Sequence, residues 1–262
     1  MTDYMSMLGL KGKKVVVTGG SGLIGRAIVE AMAGSGGRVV IADVDKLNGK
    51  RLADRLSEKG LSVEYCHFDI TDIKGLKKNI DKIVRGLGGI DIWINSAYPR
   101  TKDWGVGIDM MPYKSWRENI DMHLNSFVLS SGYAAFHMKR RGGAILNLGS
   151  IYGVLGPDFN IYKDTGMHNP LAYSTIKGGI VNAGRYLASH LGKHNIRVNT
   201  ICPGGVFDNQ NAIFLKRYSM KVPMGRMARS SEVASAALFL VSDAASYITG
   251  AVVMVDGGWS TI

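Results

Sequence analysis

Cysteine is scarce: Cys66 and Cys202 are the only two in 262 residues. They stand far apart, each inside an apolar, strand-like run, which argues against a disulfide framework or a thiolate metal cluster and leaves two structural thiols. No metal site is expected. No apolar run is long enough to cross a bilayer, and the first ten residues lack the basic start and apolar stretch of a secretory leader. The expectation is a cytoplasmic protein with no membrane partner. Repeats, low-complexity tracts and Pro/Gly/Ser-rich linkers are also missing, so nothing divides the chain. With 46% apolar residues, residues 1–262 suffice for one domain with a sizeable core.

Basic residues are in excess, giving a net charge of +11. Such a field attracts anions, among them nucleic acid, phosphorylated metabolites, nucleotide-sugars and acidic carrier proteins, and does not choose between them. Lys11, Lys13 and Lys14 mark a strand entrance, and Lys77, Lys78, Lys82 and Arg85 fall on one helix face, the pattern of a solvated surface. No nucleic-acid-binding motif accompanies them, and no such partner is expected.

Apolar, strand-like runs recur at residues 14–18, 38–42, 62–67, 90–95, 144–148, 196–201 and 252–255. Helix-length segments separate most of them. A parallel connection needs about a dozen residues, so the alternation predicts an α/β fold with parallel crossovers and helices on both faces of the sheet. Residues 153–172 break the rhythm with two prolines and several turn formers, which marks a long functional loop.

The first strand runs into Thr18-Gly19-Gly20-Ser21-Gly22-Leu23-Ile24-Gly25 and then into a helical stretch. Glycines here let the main chain approach a pyrophosphate, whose charge is met by free N–H groups at the helix start. Asp43 ends the second strand, where its carboxylate can accept hydrogen bonds from both ribose hydroxyls and repels a 2′-phosphate, favouring NAD over NADP. Capping the next helix is the competing role for Asp43, although Asp45 is placed to do the same.

Tyr173 and Lys177 are four residues apart in a helical stretch and share one face; Ser150 closes a strand. A phenol with a pKa near 10 is a poor base at neutral pH unless a cation lowers it. An ammonium at about 4 Å, with an effective dielectric near 20, supplies roughly 4 kcal/mol, or about three pKa units at most.

Taken together, the glycine loop, Asp43, Asp69, Asn95-Ser96-Ala97, Ser150, Tyr173-x-x-x-Lys177, Pro203-Gly204 and Val255-Asp256-Gly257-Gly258 resemble the short-chain dehydrogenase/reductase family over nearly the whole chain. The resemblance implies a Rossmann-type, doubly wound parallel sheet of about seven strands. It makes Tyr173 the general acid/base, with Lys177 lowering its pKa and holding the nicotinamide ribose, and Ser150 a donor to the substrate oxygen. It places Gly19, Ser21, Gly22, Leu23 and Ile24 at the pyrophosphate, Asp69 and Ile70 at the adenine, Asn95 and Ala97 along the cofactor, and Pro203, Gly204 and Val206 at the carboxamide. It also implies a homotetramer.

Several residues depart from the family pattern. The second loop glycine comes one residue early, as Gly22, with Leu23 in its usual place. Tyr98 stands where a bare glycine is usual. His123 takes the position of the asparagine that holds a relay water, with Asn125 as the alternative if the register slips, and an imidazole there suggests a catalytic relay. The inserted loop between Ser150 and Tyr173 is expected over the substrate. Residues 97–100 and 150–153 resemble a subgroup found in flagellin-modification and surface-polysaccharide sugar pathways. Tyr98, Arg100, Tyr152, Tyr162 and His168 are the expected substrate residues, with Arg100, Lys102, Lys163 and His168 forming a cationic edge suited to phosphate and hydroxyl groups. The reading is an NAD-dependent oxidoreductase acting on a sugar, phosphosugar or nucleotide-sugar. The alternatives are a 3-oxoacyl-carrier-protein reductase and a non-catalytic dinucleotide sensor.

Overall fold

Seven aliphatic runs pair side by side in the computed structural model, which describes residues 3–262. They are β1 (Lys14–Thr18), β2 (Arg38–Asp43), β3 (Val63–His67), β4 (Ile92–Asn95), β5 (Gly143–Leu148), β6 (Ile196–Pro203) and β7 (Val252–Val255). The order across the sheet is β3-β2-β1-β4-β5-β6-β7 and every pairing is parallel. Strands covered on both faces need apolar side chains in both directions, which is why Val15, Val16 and Val17 succeed one another without alternation and are all fully buried.

The helices are α1 (Leu23–Gly34), α2 (Lys46–Ser57), α3 (Leu76–Leu87), α4 (Tyr113–Asn119), α5 (Ser126–Met138), α6 (Leu171–Leu191), α7 (Ala212–Lys221) and α8 (Ser230–Val241). One core joins α1, α2 and α8 to the sheet, and a second joins α3, α5 and α6 to its other face. In α3 the buried positions Leu76, Ile80, Ile83, Val84 and Leu87 follow the helical period, while Lys77, Lys78, Lys82 and Arg85 point to solvent. That basic run is the solvated face expected of it. Gly88, at φ 68°, then ends the helix in the left-handed conformation.

Between α4 and α5 the chain widens into a π-helical turn, Ile120–Asn125. Two short 3-10 turns follow β5, Ile151–Gly153 just before the insertion and Phe159–Ile161 within it, and both pack with α7 and Trp259 into a third, smaller core. Both cysteines are free thiols. Among the described residues, no His/Cys/Asp/Glu group is placed to hold a metal, and no helix is long and apolar enough to cross a membrane. The strand order reverses at β1 and β4, and a parallel sheet leaves a crevice beyond the carboxyl ends of its strands at that point.

Candidate active site

A cleft of about 890 Å³ occupies this crevice. Gly19, Ser21, Gly22, Leu23 and Ile24 line one end, beside Asp43, Asp69 and Ile70, and Ala97, Pro203, Gly204 and Val206 continue the wall. Gly19 has φ 64°, and a Cβ there would lie 2.5 Å from the Ala97 Cα, so the loop can run close to β4 only with glycine. Helix α1 starts at Gly22 without any side-chain cap. Its first N–H groups therefore face the cleft with no side chain competing for them, as an anion site requires. The early glycine costs the loop nothing visible, since Leu23 simply opens the helix and lines the wall.

Asp43 is buried at the tip of β2 and accepts from the Ser21 N–H at 3.0 Å, the Ser21 hydroxyl at 2.6 Å and the Asp45 N–H at 3.0 Å. Capping belongs to Asp45, which accepts from the Asn48 N–H at the start of α2. Asp43 thus ties the glycine loop to β2; its Oδ2 already accepts both Ser21 bonds, while Oδ1, with the Asp45 N–H alone, keeps acceptor capacity for a further donor. Asp69 folds back on Thr71, accepting from its N–H at 2.8 Å and its hydroxyl at 2.7 Å. An uncapped helix start, a glycine cradle and paired carboxylates at the far end fit a dinucleotide.

Two expected site residues sit elsewhere. Asn95 does not reach the cleft. Its amide donates to Asn147 at 2.8 Å and Ser131 at 2.9 Å, while its oxygen accepts from Trp93 at 2.8 Å and Ser130 at 2.9 Å. The side chain staples β4 to β5 and α5, and burial without water forces it to spend its donors and acceptors inside. His123 is also fully buried and lies behind Lys177, not on the cleft wall. The alternative, Asn125, is exposed and bonds Asp121 at 2.9 Å, away from the cleft.

Ser150, Tyr173 and Lys177 meet at the other end of the cleft. Lys177 reaches there from α6, donating to the Leu148 carbonyl at 2.8 Å and lying 3.5 Å from His123 Nε2. Since an ammonium only donates, Nε2 accepts and the imidazole proton sits on Nδ1, which has no partner among the described residues. Burial, then the Lys177 charge, hold His123 well below its usual range, so the ring is neutral. Burial also pushes the Lys177 ammonium down to about 7.

The Tyr173 phenol is displaced upward, first by burial; the Ser150 hydroxyl offsets part of this, and Tyr98, Tyr162 and Cys202 add to it. The net lowering expected from Lys177 is therefore not what the protein has by itself. Desolvation, left out of the Coulomb argument, is the largest influence, and the Lys177 charge is not among those that set the shift.

Tyr98, Arg100, Tyr152, Tyr162 and His168 all line the substrate half of the cleft, whereas Lys102 and Lys163 do not. The Lys163 carbonyl accepts from Arg217 on α7, which draws that stretch toward the helix. The cationic edge is thus narrower than expected. Tyr98 stands edge-on to Tyr173, Trp104 and His123, with ring centroids 5.8, 5.9 and 5.6 Å away. The Tyr162 hydroxyl donates to the Tyr152 hydroxyl at 3.1 Å, joining the insertion to the loop that carries Ser150. Trp104, Asn169 and Phe214 also line the cleft. Nothing in their sequence surroundings distinguishes them from ordinary loop and core residues.

A family model described as enoyl-(acyl carrier protein) reductase matches residues 20–260. The chain belongs to the short-chain dehydrogenase/reductase family, oxidoreductases that use a nicotinamide cofactor. It is 35% identical over 253 residues to post-translational flagellin modification protein A of Campylobacter coli, covering 95% of this chain and 99% of that one. The crystal structure of a short-chain dehydrogenase from Leptospira borgpetersenii with bound NAD+ is 32% identical, covers 99% of this chain and 96% of that one, and superposes with a TM-score of 0.85. A gluconate 5-dehydrogenase from Burkholderia cenocepacia in complex with NADP and tartrate has a TM-score of 0.89 over 99% of this chain and 100% of that one. At 23% identity it shares the fold.

Proposed function

We propose that this protein is an NAD-dependent oxidoreductase that interconverts a hydroxyl and a carbonyl on a sugar-derived substrate. The observation that carries the reading is the convergence of Ser150, Tyr173 and Lys177 at one end of a cleft whose other end is the glycine loop. When bound, the nicotinamide accepts or supplies the hydride. In the oxidative direction Tyr173, as phenolate, takes the hydroxyl proton while the carbon gives up hydride. In the reverse direction the phenol returns the proton. Ser150 donates to the substrate oxygen in both directions, where charge develops. Lys177 favours the phenolate, and neutral His123 behind it accepts a hydrogen bond from its ammonium and fixes its direction.

Two carboxylates, Asp43 and Asp45, line the adenosine end. They favour ribose hydroxyls and disfavour a 2′-phosphate, which supports NAD. The flagellin-modification relative supports a sugar-derived substrate. Similarity to an enoyl-(acyl carrier protein) reductase family keeps a 3-oxoacyl-carrier-protein reductase as the second reading; Asp43 opposes the NADPH that such a reading carries. A sensor without catalysis has no need of the Ser150, Tyr173 and Lys177 set.

Nicotinamide absorbance with NAD and NADP, against nucleotide-sugars, phosphosugars, free sugars and a 3-oxoacyl thioester, tests this. Turnover is expected with NAD and a sugar derivative, and Tyr173→Phe should lower kcat by at least about 100-fold while NADH still binds. Unchanged turnover in Tyr173→Phe would refute the mechanism, and thioester reduction with NADPH would move the assignment to the second reading.

A further inference from the structure

The substrate half of the cleft contains one arginine, Arg100, and the fold leaves its charge unanswered. Its guanidinium lies over the Tyr98 ring, 5.0 Å from the centroid. Among the described residues it forms no ion pair, whereas Arg38, Arg55, Arg217 and Arg226 each meet a carboxylate. A guanidinium beside a ring carries five N–H donors in a planar fork, more than one neighbouring phenol can use, and that fork matches two oxygens of a carboxylate or phosphate. Asp208, on the loop after β6, also lines the cleft and forms no ion pair with Arg100.

Position gives the charge its meaning. Tyr98 links Arg100 to the reacting phenol, since the same ring that lies against the guanidinium stands 5.8 Å from the ring of Tyr173. Trp104 closes against both, at 5.9 Å from Tyr98 and 6.3 Å from Tyr173. Aromatic walls offer a flat apolar surface to the C–H face of a ring, and they suit it better than a long flexible chain, which needs a tunnel.

We infer that the substrate is a cyclic hydroxyl compound carrying an anionic group, bound with its ring against Tyr98 and Trp104, its reacting oxygen at Ser150 and Tyr173, and its anion on Arg100. This rests on the oxidoreductase reading and narrows its substrate class. Carboxylate and phosphate share the chemistry that Arg100 recognises, and the test separates them.

The experiment compares D-glucuronate, D-glucose 6-phosphate and D-glucose, each with NAD, in the wild type and in Arg100→Gln and Arg100→Lys. One of the anionic compounds should exceed glucose in kcat/KM, and Arg100→Gln should reduce that anion-to-neutral ratio by about 10- to 100-fold, the range of charge-assisted hydrogen bonds. Arg100→Lys should recover only part of the ratio, because a point charge lacks the fork. A glucose rate equal to or above both anionic compounds, or a ratio unmoved in Arg100→Gln, overturns the inference and leaves the oxidoreductase reading standing. If none of the three is turned over, binding of glucuronate and glucose 6-phosphate to the enzyme–NADH complex decides. Tenfold weaker binding of either in Arg100→Gln, with NADH affinity retained, supports the anion site, and binding indifferent to Arg100, or no binding, overturns it.

Discussion

A buried imidazole next to a buried ammonium is the least ordinary pairing in this protein. His123 is neutral in the fold because burial and Lys177 both oppose its protonation. The unfolded chain has no such opposition, so below about pH 6.5 the unfolded state binds the extra proton and the native state does not. The His123 contribution to stability is therefore complete above that pH and is lost as pH falls, by at most about 1.4 kcal/mol per pH unit. Thermal unfolding of the wild type and His123→Asn at pH 5.0, 6.0 and 7.5 should show the wild type losing Tm faster toward acid. Parallel losses would mean that His123 shares its charge with the fold after all. The identity of this position could be read from the helical spacing of its neighbours. Its depth and its bond to Lys177 could not, because both depend on where α6 crosses the turn at 120–125. Asn95 carried the same difficulty: its type and place in the strand match a cofactor contact, and only the packing of α5 shows that its side chain turns inward.

At the scale of elements, the strands were legible because a buried parallel strand must be apolar on both faces, and β1 and β7 fall where the apolar runs place them. The ends of others drift. β4 begins at Ile92, opposite Val15 of β1 and Ala144 of β5, one residue inside each of its partners. The insertion was legible as an interruption, and its folded course was not, since that depends on α7. Phe214 of α7 is buried and faces Tyr162 with ring centroids 5.4 Å apart, and ion pairs Arg217–Asp164 and Lys221–Asp158 flank that contact. Exposed ion pairs contribute little, so the aromatic contact should dominate. Phe214→Ala is expected to destabilise this small core by about 3 kcal/mol. The loss should fall on the insertion, raising KM for the second substrate several-fold while NADH affinity holds. An unchanged KM would detach the insertion from substrate binding.

The whole molecule has two sheet edges of different character. On β3, Glu64 pairs with Arg38 across the strands, and charge of this kind discourages further pairing. The other edge, β7, reads Val-Val-Met-Val, is only partly buried and carries no charge. An uncharged apolar edge invites a partner, and we propose that further copies of this chain cover it in a homotetramer. Light scattering should give the mass of four chains, and a monomer would defeat the proposal. The same strand has a consequence for synthesis. The outer edge of β6 is sealed only by β7, about fifty residues later in the chain. At a translation rate of roughly 5–20 residues per second, a finished six-stranded sheet must wait several seconds with β6, nearly all of it buried in the folded protein, open on one side. During that interval the nascent protein is at its stickiest, and its yield in a cell should depend more on chaperone supply than its final stability would suggest.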